Sequence, residues 1–412
     1  MTSGNLDLTF LEDSADTRAR VQRARRNASL SVPAAVTVIW SVYVTAAGHW
    51  GRIGDHVGAA ITMVFGSFVA GSTPQGGGAV AFPVFTKVLD VPSAVARSFS
   101  LSIQAVGMGS AALVIVLSRR RVVWRAVAFA APAAVLAFAI AVVFASDRDT
   151  AFWVSRLPGP YVKVTFTLVL AGMAWLVFLG SRIPVRKVDY VLPHDNHRLV
   201  VGLVAAGTLG GVASALVGSG ADVFVYLGVV VLFGIDPRIG VPTSVVVMAM
   251  VSVVGLAILG IVDGQLSVDL ADGRVVGVGD TAIDPTPLRE ADLFGMWIAA
   301  IPIVAWGAPL GSYVASRLRA QHLVFFVLAL AVAEVLSTIV FVDELRSDAG
   351  LIVYASIGIV VVVGGLAWLA RNRQLIFDLP PFSGTETLRR TSVDTDTDYA
   401  RSFESDADRG SG

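Results

Sequence analysis

Twelve apolar runs follow one another along this chain, the first at residues 31 to 47 and the last at 351 to 370. Between them lie runs at 57 to 72, 76 to 91, 97 to 118, 123 to 146, 161 to 180, 199 to 217, 220 to 235, 240 to 262, 293 to 316 and 322 to 342. Most are long enough to span a hydrocarbon core of about 30 Å as a helix, and those at 76 and 220 are shorter. With 55% hydrophobic and 15% charged residues and a mean hydropathy of +0.73, the chain is too apolar for a soluble protein with one or two cores. The fold class expected is an all-α polytopic membrane protein with about 10 to 12 membrane segments, multi-pass in the cell membrane.

Charge gives orientation rather than a partner. Lysine plus arginine equals aspartate plus glutamate at 31 each, which points to no nucleic-acid partner. Basic residues cluster after 118 (Arg119, Arg120, Arg121, Arg125), after 180 (Arg182, Arg186, Lys187, Arg198), after 316 (Arg317, Arg319) and after 370 (Arg371, Arg373). Together with Arg18, Arg20, Arg23, Arg25 and Arg26 these are expected in the cytoplasm, with both termini. Segments 48 to 56, 147 to 160, 263 to 292 and 343 to 350 carry fewer basic residues and belong outside. In the longest of them an Asp272-Gly273 pair between alternating apolar positions is the local signature of a β-hairpin. The absence of cysteine excludes disulfides, cysteine metal sites and thiol catalysis. No GxxxxGK[ST] pattern occurs, so ATP bound on this chain drives nothing. No metal and no cofactor is expected.

Organisation follows from these signals. Residues 1 to 30 form a polar, basic tail, and 31 to 52 read as a retained extra helix, since a signal peptide with so long a charged region would be unusual. Two membrane repeats are expected at 54 to 182 and 198 to 345, then a last helix at 350 to 372. The acidic tail at 375 to 412 has the composition of a disordered segment.

The repeats emerge when the chain is aligned on itself. QGGGAVAFPVF (75 to 85) lies on VGSGADVFVYL (217 to 227), LDVPSAVARSFS (89 to 100) on FGIDPRIGVPTS (233 to 244), and APAAVLAFAIAVVFAS (131 to 146) on IPIVAWGAPLGSYVAS (301 to 316). Three matches in the same order are harder to attribute to composition than any one of them. By the charge pattern the first repeat starts outside and the second inside, so they are expected to be inverted. Secondary transporters are built this way, with sites where broken helices of the two halves meet near the midplane.

Both copies are broken by glycine. STPQGGGAVAFPVF and GSGAD interrupt apolar segments where free backbone groups cost several kcal/mol each. Two hairpins entering from opposite faces would bring residues 73 to 78 and 217 to 220 together, and the helices that start there would point their positive ends at a bound anion. Close helix packing is the competing explanation for these glycines. The substrate-binding candidates are Thr73, Pro74, Gln75, Gly76, Gly77 and Gly78 in the first break, Gly218, Ser219 and Gly220 in the second, and Ser98, Ser100, Thr243 and Ser244 beside them. Hydroxyls and an amide donate to an oxyanion without holding it too tightly to release. Ordinary interhelical hydrogen bonds would also account for them.

These stretches, with APLGSYVASRL (308 to 318), resemble the TauE/SafE sulfite-exporter family, also called toluene-sulfonate uptake permeases. The likeness covers residues 57 to 370. It implies a two-repeat membrane fold and transport of sulfite, sulfonates or related small sulfur-containing anions, and the partners expected are that anion and the lipid bilayer. The chain departs from the simpler family pattern in Pro74-Gln75, in Val225 where the first copy has Pro83, and in its long outside loop and tails.

Two carboxyls lie within apolar runs, Asp222 and Glu334, and their repeat counterparts Val80 and Ala174 are neutral. Ionisable groups in such places default to function, here proton carriage, although either carboxyl beside a basic or hydroxyl neighbour would be structural. Lys87, Arg97, Asp236 and Arg238 are nearer helix ends and are expected to snorkel. An anion channel and a non-transporting receptor remain alternatives of another class. GSGAD also approaches the GxGD signature of intramembrane aspartyl proteases, but it is one residue too long and no second membrane aspartate in a Tyr-Asp pair accompanies it.

Overall fold

Helix α1, Ser29–Ala47, opens the computed structural model, which describes residues 27, 29–89, 91–143, 159–181, 196–262, 266, 292–315, 317–318 and 320–377. All of these belong to the compact unit Met1–Leu379. The basic tail, the expected hairpin around Asp272 and the acidic tail lie outside the described residues.

Every described element is helical. After α1 come α2 (Trp50–Asp55), α3 (Val57–Ser72) and α4 (Gly78–Pro83), which runs on as a wide π turn over Val84–Val88. Then follow α5 (Ser93–Leu117), α6 (Trp124–Val143) and α7 (Gly159–Ser181). The second half has α8 (His197–Val217), α9 (Ala221–Tyr226, continued to Leu232), and α10 (Pro237–Gly255, continued to Val262). It closes with α11 (Leu293–Ala315) and α12 (Ala320–Phe341), before the short α13 (Glu344–Ser347), α14 (Ala349–Ile359) and α15 (Gly365–Phe377). Eight of the described helices are long and apolar enough to cross a membrane, and the hairpin arms Val57–Ser72 and Ala221–Leu232 are shorter. The expected 10 to 12 segments are reached only by counting those arms. Phe325, Val360 and Ile39 are exposed on the outside, where lipid rather than water is their natural neighbour.

Local chemistry sets several boundaries. Asn196 Oδ1 accepts the N–H of Arg198 (3.0 Å) and of Leu199 (3.3 Å), satisfying two donors at the head of α8. Asp236 does the same for α10, accepting from Arg238 N at 2.7 Å, with Pro237 at the first helical position where its missing N–H costs nothing. Pro83 removes a donor inside the α4 run, and the helix widens into the π turn immediately after it.

The element order of the first half, α3 to α7, recurs in α8 to α12. Packing recurs with partners exchanged. Helix α3 lies on α11 while α8 lies on α6; α5 lies on α11 while α10 lies on α6; and α5 meets α10 as α7 meets α12. Glycine makes the closest of these crossings possible. A Cβ on Gly71 would strike the carbonyl of Ala308 and one on Gly311 that of Phe68, and on the other side Gly207 and Gly211 lie against the carbonyls of Ala130 and Ala134. Small residues at such crossings let membrane helices approach closely. Helix α1 is only lightly buried, and it docks on α11 through Trp40 Nε1, which donates to Ile298 O at 2.8 Å, and Thr37 Oγ1, which accepts from Trp306 Nε1 at 3.0 Å.

Candidate functional site

The two breaks meet inside the protein. Helix α3 ends as Thr73 turns to an extended backbone, and its Oγ1 donates to Val69 O (3.0 Å) and accepts from Gln75 N (3.3 Å). Helix α8 ends at Gly218, whose left-handed φ of 78° lets its N–H close on Ser214 O at 2.9 Å. Gly76 also lies in the left-handed region, at φ 68°. Ser219 Oγ donates to Gln75 O at 3.4 Å, and a Cβ on Gly78 would lie 2.6 Å from that of Ser219. From α5, Ser100 Oγ donates to Gly218 O at 3.1 Å. Residues 73 to 78 and 218 to 222 are all buried.

Of the sequence candidates, the structure joins Gln75, Gly76, Gly78, Gly218, Ser219, Ser100 and Asp222 around this junction. Thr73 and Pro74 shape the first break. Gly77 faces its own hairpin, nearest Ala70, and Gly220 starts α9. The Gln75 side chain turns away from the second break, its Nε2 donating to Val327 O on α12 at 3.3 Å. Thr243 Oγ1 donates to Ile239 O (2.7 Å) and accepts from Val123 N (3.0 Å), and Ser244 Oγ donates to Val241 O (3.0 Å). Both hydroxyls serve α10 and the entry of α6. Ser98 is buried on α5.

The two carboxyls occupy different surroundings. Asp222, fully buried, accepts from Val223 N at 3.0 Å through Oδ1, and its Oδ2 has no hydrogen-bond partner. Glu334 forms an ion pair with Lys87 at 2.7 Å, with both side chains 1 to 2% exposed. Lys87 Nζ also donates to Ser337 Oγ (2.9 Å) and Thr338 Oγ1 (2.8 Å), and Thr167 Oγ1 donates to Glu334 Oε1 at 2.7 Å. The expected snorkelling of Lys87 is therefore corrected: the end of the first hairpin turns its ammonium inward, where a carboxylate on α12 and hydroxyls on α12 satisfy it. Arg97 Nη1 reaches the Ala215 carbonyl at 3.5 Å, and Asp236 is the α10 cap.

Gln104 was not among the sequence candidates. It lies one helical turn after Ser100 on α5, and its Nε2 donates to Ser100 Oγ (2.7 Å) and Gly218 O (2.8 Å). An amide four residues from a serine in an apolar run was the available signal. A third polar group lies at the start of α11. There Asp292 accepts from Gly295 N (3.0 Å), contacts His56 Nε2 at 2.8 Å and is 3.4 Å from Arg52 Nε. Burial works to raise its carboxyl, but His56, the Gly295 N–H and Arg52 outweigh it and hold Asp292 below the ordinary carboxylate range.

Residues 59–338 match the family described as sulfite exporter TauE/SafE. The chain belongs to this family. The TauE/SafE match begins in α3 and ends in α12, so it takes in both glycine breaks, Gln104, Asp222 and Glu334, and leaves out α1, α14 and α15. Neither curated proteins nor solved structures give a match. Membership and the eight apolar helices make this a multi-pass membrane protein of a transporter family for small anions.

Proposed function

We propose that this TauE/SafE protein is a secondary transporter of small sulfur-containing anions, sulfite or an organosulfonate, that works by alternating access between two inverted repeats and catalyses no reaction. The observation that carries the reading is the meeting of the two breaks, where Ser219 Oγ reaches Gln75 O and Gly78 abuts Ser219. Helices that end and restart inside a membrane protein leave backbone donors without intrahelical partners. Here Gly76 and Gly78 of the first break lie against Ser219, and Gly78 against Ser100, whose hydroxyls donate to Gln75 O and Gly218 O. An oxyanion bound there is stabilised by N–H dipoles with no fixed cation to trap it. Residues 73 to 78 and 218 to 222 are buried, and loading of a site among them by alternating access would move one half against the other. Reciprocal packing of the halves makes the two directions of motion structurally equivalent. Both termini and the basic connections face the cytoplasm, and loop 263 to 292 faces outside.

Sulfite-dependent thermal stabilisation of purified protein, followed by counterflow of labelled sulfite or p-toluenesulfonate in proteoliposomes, tests this. Saturable exchange is expected, with loss of both binding and exchange in Gly78→Val, whose Cβ would lie 2.6 Å from that of Ser219 and force the two breaks apart. Flux without saturation indicates a channel, and binding without flux a receptor. Undiminished exchange by Gly78→Val removes the anion from this junction.

A further inference from the structure

Two buried side-chain oxygens that approach the same point beside Gly76 lack a donor. Asp222 Oδ2 and Gln104 Oε1 have no hydrogen-bond partner. They come within 2.5 and 3.2 Å, respectively, of the point that a Cβ on Gly76 would occupy. Reversing the Gln104 amide does not help, because both protons of its Nε2 are already given to Ser100 Oγ and Gly218 O, and the exchange would set one carbonyl oxygen against another. Ser219 Oγ, 3.0 Å from the same point, donates its proton to Gln75 O. Only glycine at position 76 leaves room for the three oxygens to converge.

We propose that Asp222 Oδ2 and Gln104 Oε1 hold one proton between them, and that this proton is bound and carried together with the anion. The coupling part rests on the anion site proposed above. On protonation the Asp222 carboxylate becomes a neutral acid whose O–H donates to Gln104 Oε1, so a single proton satisfies both acceptors. The two hydroxyls there, of Ser100 and Ser219, donate to Gly218 O and Gln75 O. The charged and titratable groups on the elements packed around α9 are Arg97 on α5, His197 and Arg198 at the head of α8, Arg125 on α6, and Asp236 and Arg238 at the head of α10, with Tyr226 on α9 itself. Arg97 directs its Nη1 to Ala215 O, and Asp236 caps its own helix. A hard metal cation takes about six oxygen ligands. Among the described residues no group of three or more His, Cys, Asp or Glu could hold a metal, and the carboxylate beside Gly76 is that of Asp222.

Coupling follows from position. Asp222 is the second residue of α9, and its carboxyl takes the Val223 N–H, a donor at the end that would otherwise face the anion. An ionised carboxylate there competes with the anion for the same donors and repels it, whereas the protonated acid does neither. The site also occurs once. Carried on in register, the repeat alignment sets Val80 opposite Asp222 and Met248 opposite Gln104, so the second copy of the position is apolar.

Two measurements on the full-length protein test the proposal separately from the transport reading. In difference infrared spectra at neutral pH, the C=O stretch of a protonated carboxylic acid should vanish in Asp222→Asn and shift in Gln104→Met, the residue that the second half carries. Its absence from the wild type, indifference to either substitution, or displacement by sodium ions overturns the shared proton. In proteoliposomes with an internal pH dye, methanesulfonate, whose charge is constant with pH, should carry protons with it. In Asp222→Asn the number of protons carried per methanesulfonate should fall to zero. Proton flux unchanged in Asp222→Asn overturns the coupling. An infrared band that behaves as expected in a protein with no anion flux sinks the transport reading and leaves the proton site standing.

Discussion

Removing either member of the Lys87–Glu334 pair should destabilise the protein far more than removing both. At the observed 2.7 Å, two unit charges attract by about 6 kcal/mol for an effective dielectric constant of about 20, and the cost of taking each from water is also several kcal/mol. The pair therefore comes close to break-even against an apolar substitute. A single substitution does not. Glu334→Leu leaves an ammonium with two hydroxyl acceptors, Ser337 and Thr338, in a side-chain environment about 1% exposed. Lys87→Met leaves a carboxylate with Thr167, Ser337 and Thr338 as its donors. Each single change should cost about 3 to 5 kcal/mol, and the double substitution about 1 kcal/mol or less. Unfolding by sodium dodecyl sulfate in mixed micelles, read by tryptophan fluorescence, gives the four corners of the cycle. Single variants within about 1 kcal/mol of the wild type, or a double variant equal to the sum of the singles, would refute the ion pair as drawn.

Three further outcomes are expected. Gly71→Ala or Gly311→Ala should overpack the α3–α11 crossing and cost about 1 to 3 kcal/mol in the same assay, and wild-type stability in both would show that this crossing is looser than the carbonyl contacts of Ala308 and Phe68 imply. Asp292→Asn should lower the thermal midpoint at neutral pH. Because the Asp292 carboxyl is held low in the folded state, its contribution is present above the ordinary value near about 4 and lost as pH falls through the folded one, so mutant and wild type should converge in acid. A gap that widened in acid would reverse the sign. Finally, since the chain has no cysteine, Asp272→Cys should react with an impermeant thiol reagent in intact cells while Lys187→Cys should not, and the opposite pattern would overturn the inversion of the repeats.

The sequence is most informative where the lipid constrains it most. Apolar runs and glycine breaks at 76 to 78 and 218 to 220 are local signals, and the breaks fall where α3 gives way to α4 and α8 to α9. Contacts between distant residues leave no such trace. Lys87 looks like a residue near a helix end until α12 brings Glu334 to it from 247 positions away. Hydroxyls mislead for a related reason. Thr243 and Ser244 reach carbonyls of their own helix, as serine and threonine in helices readily do, and nothing in the letters distinguishes them from Ser100, which reaches across to Gly218. The Gln75 amide, at the tip of the break, turns to α12. Gln104 in mid-helix faces the junction, because an amide in an apolar helix turns to whatever carbonyl the fold supplies.

The asymmetry of the two halves bears on direction. The first hairpin is tied to α12 at both ends, through Gln75 to Val327 and through Lys87 to Glu334, whereas the second carries Asp222. An inside-negative potential drives a lone monoanion outward with about 2.3 kcal/mol per 100 mV, so export needs no coupled ion and accumulation does. A monoanion carried with one proton crosses as a neutral pair, and the potential then drops out. Net flow is set by the product of the anion and proton gradients, inward when the outside is the more acidic. The flux-reversal point in proteoliposomes separates the two regimes. It should follow an imposed pH gradient and ignore a potassium diffusion potential in the wild type, and it should follow that potential in Asp222→Asn, where the anion travels with its charge uncompensated.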